Sequence, residues 1–239
     1  MTVVAVAILD RDNWDANTDI IVVADPAHRR LTWVPRDLWC PRLGDRIGRA
    51  FAIGQGPALL AALGKLGLPC KGLICLRRSA SEAALSAASV TVPVVERIDF
   101  WYPLHPTQPI EAGRKAIFFQ PPEERLSGER LHQWIGARFM VNRPGSDLFR
   151  LRRQQVLLRA LLESGFDFGR ALTDASLLRV CGEDPIPILA LIDTSWAMTT
   201  LDRVRGATIN GKAVLLLEPR WWWAARRLFR FLAAPGRRA

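Results

Sequence analysis

The chain has 239 residues, of which 49% are hydrophobic and 23% charged, enough apolar side chain for one large domain and too much for a disordered one. Its formal net charge of +10 points to polyanions, whether nucleic acid, anionic lipid or phosphorylated substrate, without choosing among them. Four cysteines with no ligand-like spacing and three scattered histidines exclude a zinc pattern, and the apolar start from Met1 to Leu9 fits neither a signal peptide nor a spanning helix.

Val3 to Leu9 is short and rich in β-branched residues, so it reads as a buried strand that stops at Asp10. Ile20 to Val23 and Leu31 to Val34 flank the turn residues Asp25 and Pro26, which predicts a hairpin delivering Arg36 and Asp37 at its exit. Gly56 and Pro57 open a helix carrying Leu59, Leu60, Leu63 and Leu66, and Gly67 stops it. A strand over Lys71 to Leu76, a short helix over Ser81 to Ala88 and a strand over Val90 to Val95 follow, whereas the proline-rich stretch 99 to 125 predicts the least regular region.

Ser127 is placed to cap a helix with Leu131, Trp134 and Ile135 on one face, and Arg138 comes one turn later. Asp147 is placed to cap a longer helix running to Glu163, with Leu148, Leu151 and Leu158 toward a core. On this helix Arg150, Arg153 and Gln154 share another face, beside the positively polarised N-terminus. A last helix from Thr194 to Val204, ended by Gly206, and a tight turn at Asn210 and Gly211 into a strand over Ala213 to Leu217 complete the pattern. The mixed order of elements predicts a three-layer α/β domain with a mixed central sheet over residues 1–218, followed by a basic, Trp-rich tail over 219–239.

Arg36, Arg138, Arg150 and Arg153 at a strand exit and a helix start make a pyrophosphate site in physical terms. Guanidinium forks match phosphate oxygens and the helix end adds partial positive charge. Asp19 and Asp147 cannot bind phosphate directly, but as hard oxygen donors they can hold a magnesium ion that bridges to it. Structural readings of the same residues stay open: Asp147 as an N-cap, Asp19 as a turn residue, Arg36 and Asp37 as a surface ion pair, Trp134 as core and His132 as inert.

Taken together, Asn17-Thr18-Asp19 before a strand, Val34-Pro35-Arg36-Asp37 after one, the stretch Ile47 to Ala50 before the Gly56 helix, and the run from Asp147 to Gln155 resemble the LytR-CpsA-Psr family from about Val3 to Gly206. The resemblance implies transfer of a glycopolymer from a polyprenyl pyrophosphate carrier to a hydroxyl of peptidoglycan or a related acceptor, forming a phosphodiester and releasing polyprenyl phosphate. It implies that Asp19, Arg36, Asp37, Asp147 and Arg150 are catalytic, with Asp37 as base or arginine-orienting group. Arg138, Arg153 and Gln154 would bind substrate, and Asp19 and Asp147 would hold Mg²⁺.

The chain departs from the family pattern at Asn17 and Gly136, where the family has arginines, at Gly48 in place of its asparagine, and at Ala88-Ser89 in place of a double glycine. These departures point to a second reading, a homologue that binds lipid-linked intermediates or envelope partners without turning them over. No nucleic-acid motif supports a third. The six arginines of residues 220 to 239 and the run Trp221-Trp222-Trp223 suit the headgroup layer of an anionic membrane, with 220–232 as a peripheral contact. That contact would associate the chain with a membrane without a spanning segment.

Overall fold

The structure, a computed structural model, describes residues 2–105, 110–142, 147–166, 176 and 178–218; the tail reading falls outside them. In chain order the strands are β1 (Val4–Leu9), β2 (Thr18–Asp25), β3 (Arg30–Trp33), β4 (Trp39–Cys40), β5 (Asp45–Arg46), β6 (Gly72–Leu76), β7 (Ser89–Pro93) and β8 (Ile98–Pro103). They continue with β9 (Arg114–Phe119), β10 (Glu123–Ser127), β11 (Phe139–Met140), β12 (Leu178–Gly182), β13 (Ala197–Thr200), β14 (Val204–Ile209) and β15 (Lys212–Leu217). The helices are α1 (Ala50–Lys65), α2 (Arg78–Leu85), α3 (Gly128–Gly136), α4 (Asp147–Glu163) and the single turn α5 (Ile186–Leu189).

The central sheet runs β12-β6-β1-β2-β3-β13 and is mixed. Strand β1 pairs antiparallel with β2 and parallel with β6, and β13 joins β3 in parallel. Alternation along β1 sets the layers, because successive side chains of a strand point to opposite faces. Ala5, Ala7 and Leu9 pack against Phe51, Leu59 and Leu63 of α1. On the other face Val4 joins Leu151 of α4, and Val6 and Ile8 pack with Ala80 of α2. A second cluster, from β7, β8, β9, β10 and α3, covers the far side of α4 through Leu157, Ala160 and Leu161. Helix α4 is therefore buried on two sides.

Helix α1 breaks within itself: Gly54 has φ −153° and Gln55 has φ 57°, so the regular helix restarts at Gly56, and Pro57 falls in its first turn, where a missing N–H costs nothing. A Cβ on Gly56 would meet the Cys181 Cβ at 2.6 Å, so glycine is what lets the helix approach β12. Asn210 and Gly211, with φ 50° and 73°, form the tight two-residue turn between β14 and β15. All four cysteines are free thiols.

Several sequence expectations are corrected. The stretch 99 to 125 holds most of β8, all of β9 and the start of β10, because Pro103 falls at a strand end and Pro121 and Pro122 between strands, where no ladder donor is required. The helix expected over Thr194 to Val204 is absent. Asp193 instead accepts the Ser195 N–H at 2.8 Å in a local turn, and the β-branched Thr199 and Thr200 extend into β13, while Gly206 lies inside β14. Helix α2 begins three residues earlier than expected, and Ser127 precedes α3 without a side-chain capping bond.

Candidate functional site

The site starts from an irregularity in the sheet. Ile8 pairs with Ile20 and Leu9 pairs with Thr18, which leaves Asp19 as the unpaired residue of a β-bulge. A bulge re-aims the extra side chain. Across the sheet the β3 exit holds Arg36, whose carbonyl accepts the Gly48 N–H at 2.9 Å. A Cβ on Gly48 would meet Arg36 O at 3.0 Å, Arg36 Cβ at 3.2 Å and Thr18 O at 3.2 Å, so the turn carrying Arg36 packs directly on a glycine.

Asp19 sits between two arginines: Oδ1 accepts from Nη1 of Arg36, and Oδ2 accepts from Nη1 of Arg150 at 2.8 Å. Arg150 also donates Nη2 and Nε to Asp147 Oδ1, at 2.8 and 3.1 Å, and Nη2 to Asp19 O at 3.2 Å. Its side chain is 2% exposed, so this guanidinium is committed to holding two carboxylates. Burial pushes the Asp19 carboxyl up, but Arg150 and Arg36 outweigh it and leave the group below the usual carboxylate range. Burial likewise disfavours the charge on Arg150, and Asp19 and Asp147 more than restore it.

Three residues further along α4, Arg153 is equally buried and has no carboxylate among the described residues. Its Nη2 donates to Ala137 O, its guanidinium stacks 4.4 Å from the Phe100 ring centroid, and Nε and Nη1 have no hydrogen-bond partner among the described residues. Burial, helped by Arg150, brings it down to about 9. Both amide atoms of the buried Gln154 are also without partners among the described residues. The ligand-binding role expected for Arg153 and Gln154 thus meets side chains enclosed by the second face of α4. Arg153 here supports the segment that presents Arg138.

Asp37 turns away as well. It pairs with Arg46 at 3.1 Å and is absent from the cavity wall, so it orients an arginine outside the site and is not placed as a base.

Asp19, Arg36, Arg138 and Arg150 do converge, on a cavity of about 400 Å³ between the central sheet, α2, α3 and β8. Asp10, Arg78, Glu82, Tyr102, Glu111 and His132 also line it, none of which the sequence singled out for chemistry. The signal available for Asp10 was its position at the end of an apolar strand. For Arg78 it was a basic residue at a helix start. Four arginines and four acids line the wall, so the cavity itself is close to electroneutral. Apart from Ser81 the other lining side chains are apolar, including Ile8, Ile20, Leu85, Trp101 and Ile135.

No group of three or more His, Cys, Asp or Glu converges as a metal site among the described residues. Two donors nevertheless suit a hard cation. Asp10 and Asp19 share the cavity wall, and Asp10 Oδ1 is buried with no hydrogen-bond partner among the described residues. Asp147 stands behind Arg150, outside the wall, with its Oδ2 buried and unpaired among the described residues.

No family model and no curated protein matches the sequence. Solved structures do match. TagT bound to LI-WTA is 16% identical with a TM-score of 0.63 over 96% of this chain and 90% of that one. TagU of B. subtilis is 13% identical with a TM-score of 0.57 and covers both chains completely. The protein gbs0355 of Streptococcus agalactiae is 16% identical with a TM-score of 0.66 over 96% of this chain and 86% of that one. At such identities the likeness is one of fold. Among the described residues no helix is long and apolar enough to cross a membrane.

Proposed function

We propose that this chain, which has the LytR-CpsA-Psr-type fold, binds a polyprenyl pyrophosphate-linked glycopolymer in the Asp19 cavity and transfers the polymer to a hydroxyl of peptidoglycan or a related acceptor. The observation that carries the reading is the convergence of Asp19, Arg36, Arg138 and Arg150, from four separate segments, on one cavity with apolar walls. A structure of TagT with a wall teichoic acid intermediate, LI-WTA, on the same fold supports the substrate class.

In this reading Arg36 and the exposed Arg138 contact the pyrophosphate. Arg150 acts through Asp19, holding its carboxylate in place and ionised. The acceptor oxygen attacks the polymer-side phosphorus. The bond from that phosphorus to the bridging oxygen breaks, polyprenyl phosphate leaves with the electron pair, and the acceptor proton passes to a cavity carboxylate. Asp10, with its unspent buried oxygen, is placed for that proton or for a cation. The apolar wall receives the first isoprene units, since a cavity of about 400 Å³ takes a headgroup and its neighbours.

An electroneutral wall gives a multiply charged pyrophosphate little net attraction, and a divalent cation arriving with it would supply the balance. Asp10 and Asp19 would hold the magnesium, with Asp147 fixing Arg150 behind them. Bound there, it would neutralise charge on the phosphate oxygens. Incubation with a polyprenyl pyrophosphate-linked polymer and peptidoglycan, followed by mass spectrometry for polyprenyl phosphate, tests the reading. Release that falls at least tenfold in Arg36→Ala and with chelator is expected. Tight binding without release would establish the alternative of a holding protein, which Asn17 and Gly136 favour, and release unaffected by chelation would remove the metal.

A further inference from the structure

We infer that Arg78, at the first turn of α2, is a phosphate-contacting residue of this cavity and, with the Tyr102 hydroxyl, forms a second phosphate subsite facing the Arg36 side. The inference rests on the reading that the cavity takes a pyrophosphate, and it names a residue that neither the sequence pattern nor the family resemblance marks.

The cations of the cavity differ in what they have left to give. Arg150 is spent on Asp19 and Asp147, and one arm of Arg36 is spent on Asp19. Arg78 is held only through Nε, which donates to Glu82 Oε1 at 2.7 Å, four residues along the same helix. Among the described residues neither of its Nη groups is engaged, and its side chain, 38% exposed, lines the cavity. One fixed edge and one free edge is the arrangement in which an arginine presents a fork with little ordering left to do.

The helix end does not compete for the ligand. The α2 start is already served by Asp12, whose Oδ1 accepts the Ser79 N–H at 2.7 Å, so the guanidinium is what the helix contributes. Tyr102 is its electrostatic neighbour: burial raises the Tyr102 hydroxyl against the pull of the Arg78 guanidinium, while burial disfavours the charge on Arg78 and Glu82, with smaller help from Tyr102 and Asp19, more than restores it. Gly136 borders Tyr102 as well, since a Cβ there would stand in ordinary contact with the Tyr102 hydroxyl at 3.8 Å, and a longer side chain at this position would enter the same part of the cavity. Arg78, Tyr102 and Gly136 line the same cavity as Asp19 and Arg36, so two linked phosphates can engage the Arg78 and Arg36 sides together.

The test uses inorganic pyrophosphate with Mg²⁺ as the probe, measured by calorimetry on the full chain, so that it reads the cavity independently of polymer transfer. Arg78→Ala is expected to weaken pyrophosphate binding about tenfold, in line with loss of a charge-assisted hydrogen bond, and to weaken monophosphate binding much less. Arg78→Lys, which keeps charge and fold but loses the fork, should fall between. Gly136→Arg in the Arg78→Ala background should restore part of the affinity, because a side chain at 136 reaches the same space. The exposed Arg152 on α4 is the control and Arg152→Ala should match the parent. Pyrophosphate binding equal to the parent in Arg78→Ala and Arg78→Lys would overturn the subsite, as would equal losses for mono- and pyrophosphate, or no pyrophosphate binding by the parent chain. Pyrophosphate binding that depends on Arg78 without polyprenyl phosphate release would leave the subsite standing and fail only the transfer reading.

Discussion

Arg150 and Arg153 lie one turn apart on α4, are 2% and 3% exposed, and should respond in opposite directions to the same substitution. Arg150 has Asp19 and Asp147 as partners, and replacing it by methionine would leave Asp19 with Arg36 alone and Asp147 without a cation among the described residues. Breaking a buried pair in this way costs roughly 3–5 kcal/mol. Arg153 has no carboxylate among the described residues, and burial brings it down from the ordinary guanidinium range to about 9. At ~1.4 kcal/mol for each tenfold, holding that charge at neutral pH costs roughly 4–5 kcal/mol. Stacking on Phe100 returns ~1–2 kcal/mol and the bond to Ala137 O ~1 kcal/mol. Arg153→Met should therefore stabilise the chain by about 1–3 kcal/mol, because methionine fills the aromatic cage without the desolvation cost.

Thermal unfolding reads both variants. With ~2–4 °C for each kcal/mol in a domain of this size, Arg150→Met should lower Tm by about 10 °C and Arg153→Met should raise it by several degrees. A pH arm isolates the cause. The native pKa of Arg153 lies below the unfolded one, so the parent gains stability as pH rises through about 9. Its deficit relative to Arg153→Met should shrink by about 1.4 kcal/mol between pH 8 and 10. Destabilisation by Arg153→Met comparable to that of Arg150→Met, or a pH-independent gap, would refute the reasoning.

Gly48→Ala places a methyl against Arg36 O, Arg36 Cβ and Thr18 O at 3.0–3.2 Å; it should cost about 1–3 kcal/mol by overpacking and lower pyrophosphate affinity by moving Arg36, and an unchanged affinity would detach that turn from the site. Asp19 is held below the usual carboxylate range by Arg150 and Arg36 against the effect of burial; its stabilisation is complete above ~pH 4 and is lost as pH falls through the lowered native value. In urea titrations the stability difference between the parent and Asp19→Asn should stay flat from pH 7 to 5 and narrow below pH 4, whereas a constant difference would mean that the arginines do not act through this carboxylate. Removal of residues 219–239, with their three consecutive tryptophans and six arginines in 220–239, should abolish salt-sensitive sedimentation with anionic liposomes. Equal sedimentation of the two forms would assign the tail elsewhere.

What the sequence disclosed follows the range of the interactions involved. Strand β1, the β2–β3 hairpin, α4 and the Asn210-Gly211 turn are written in local chemistry, and all were legible. Strand β13 was misread because what makes it a strand is parallel pairing with β3, more than 160 residues away. Asp19, Arg36, Arg138 and Arg150 could be grouped from motif order alone, and they share the cavity. Asp10 and Arg78 could not be, since they reach it only when β1 and β6 lie side by side and carry the ends of both strands to one edge. The family pattern and the helix start mark Arg153 and Gln154 as ligand contacts, and nothing local reveals that β7, β8 and α3 pack against that side of α4.

The bulge at Asp19 gives the site a freedom that a regular strand would deny it. In an unbroken pairing of β1 with β2, residue 19 would take the face dictated by the pleat, and any change in its direction would have to pass through every neighbour on the ladder. One residue more than the ladder requires lets the carboxylate turn to Arg36 and Arg150 while Ile8 and Ile20 on one side and Leu9 and Thr18 on the other stay in register. The count of residues in this strand is thus itself a functional quantity: a chain one residue shorter between Thr18 and Ile20 would close the sheet more neatly and have no carboxylate in its cavity at that point.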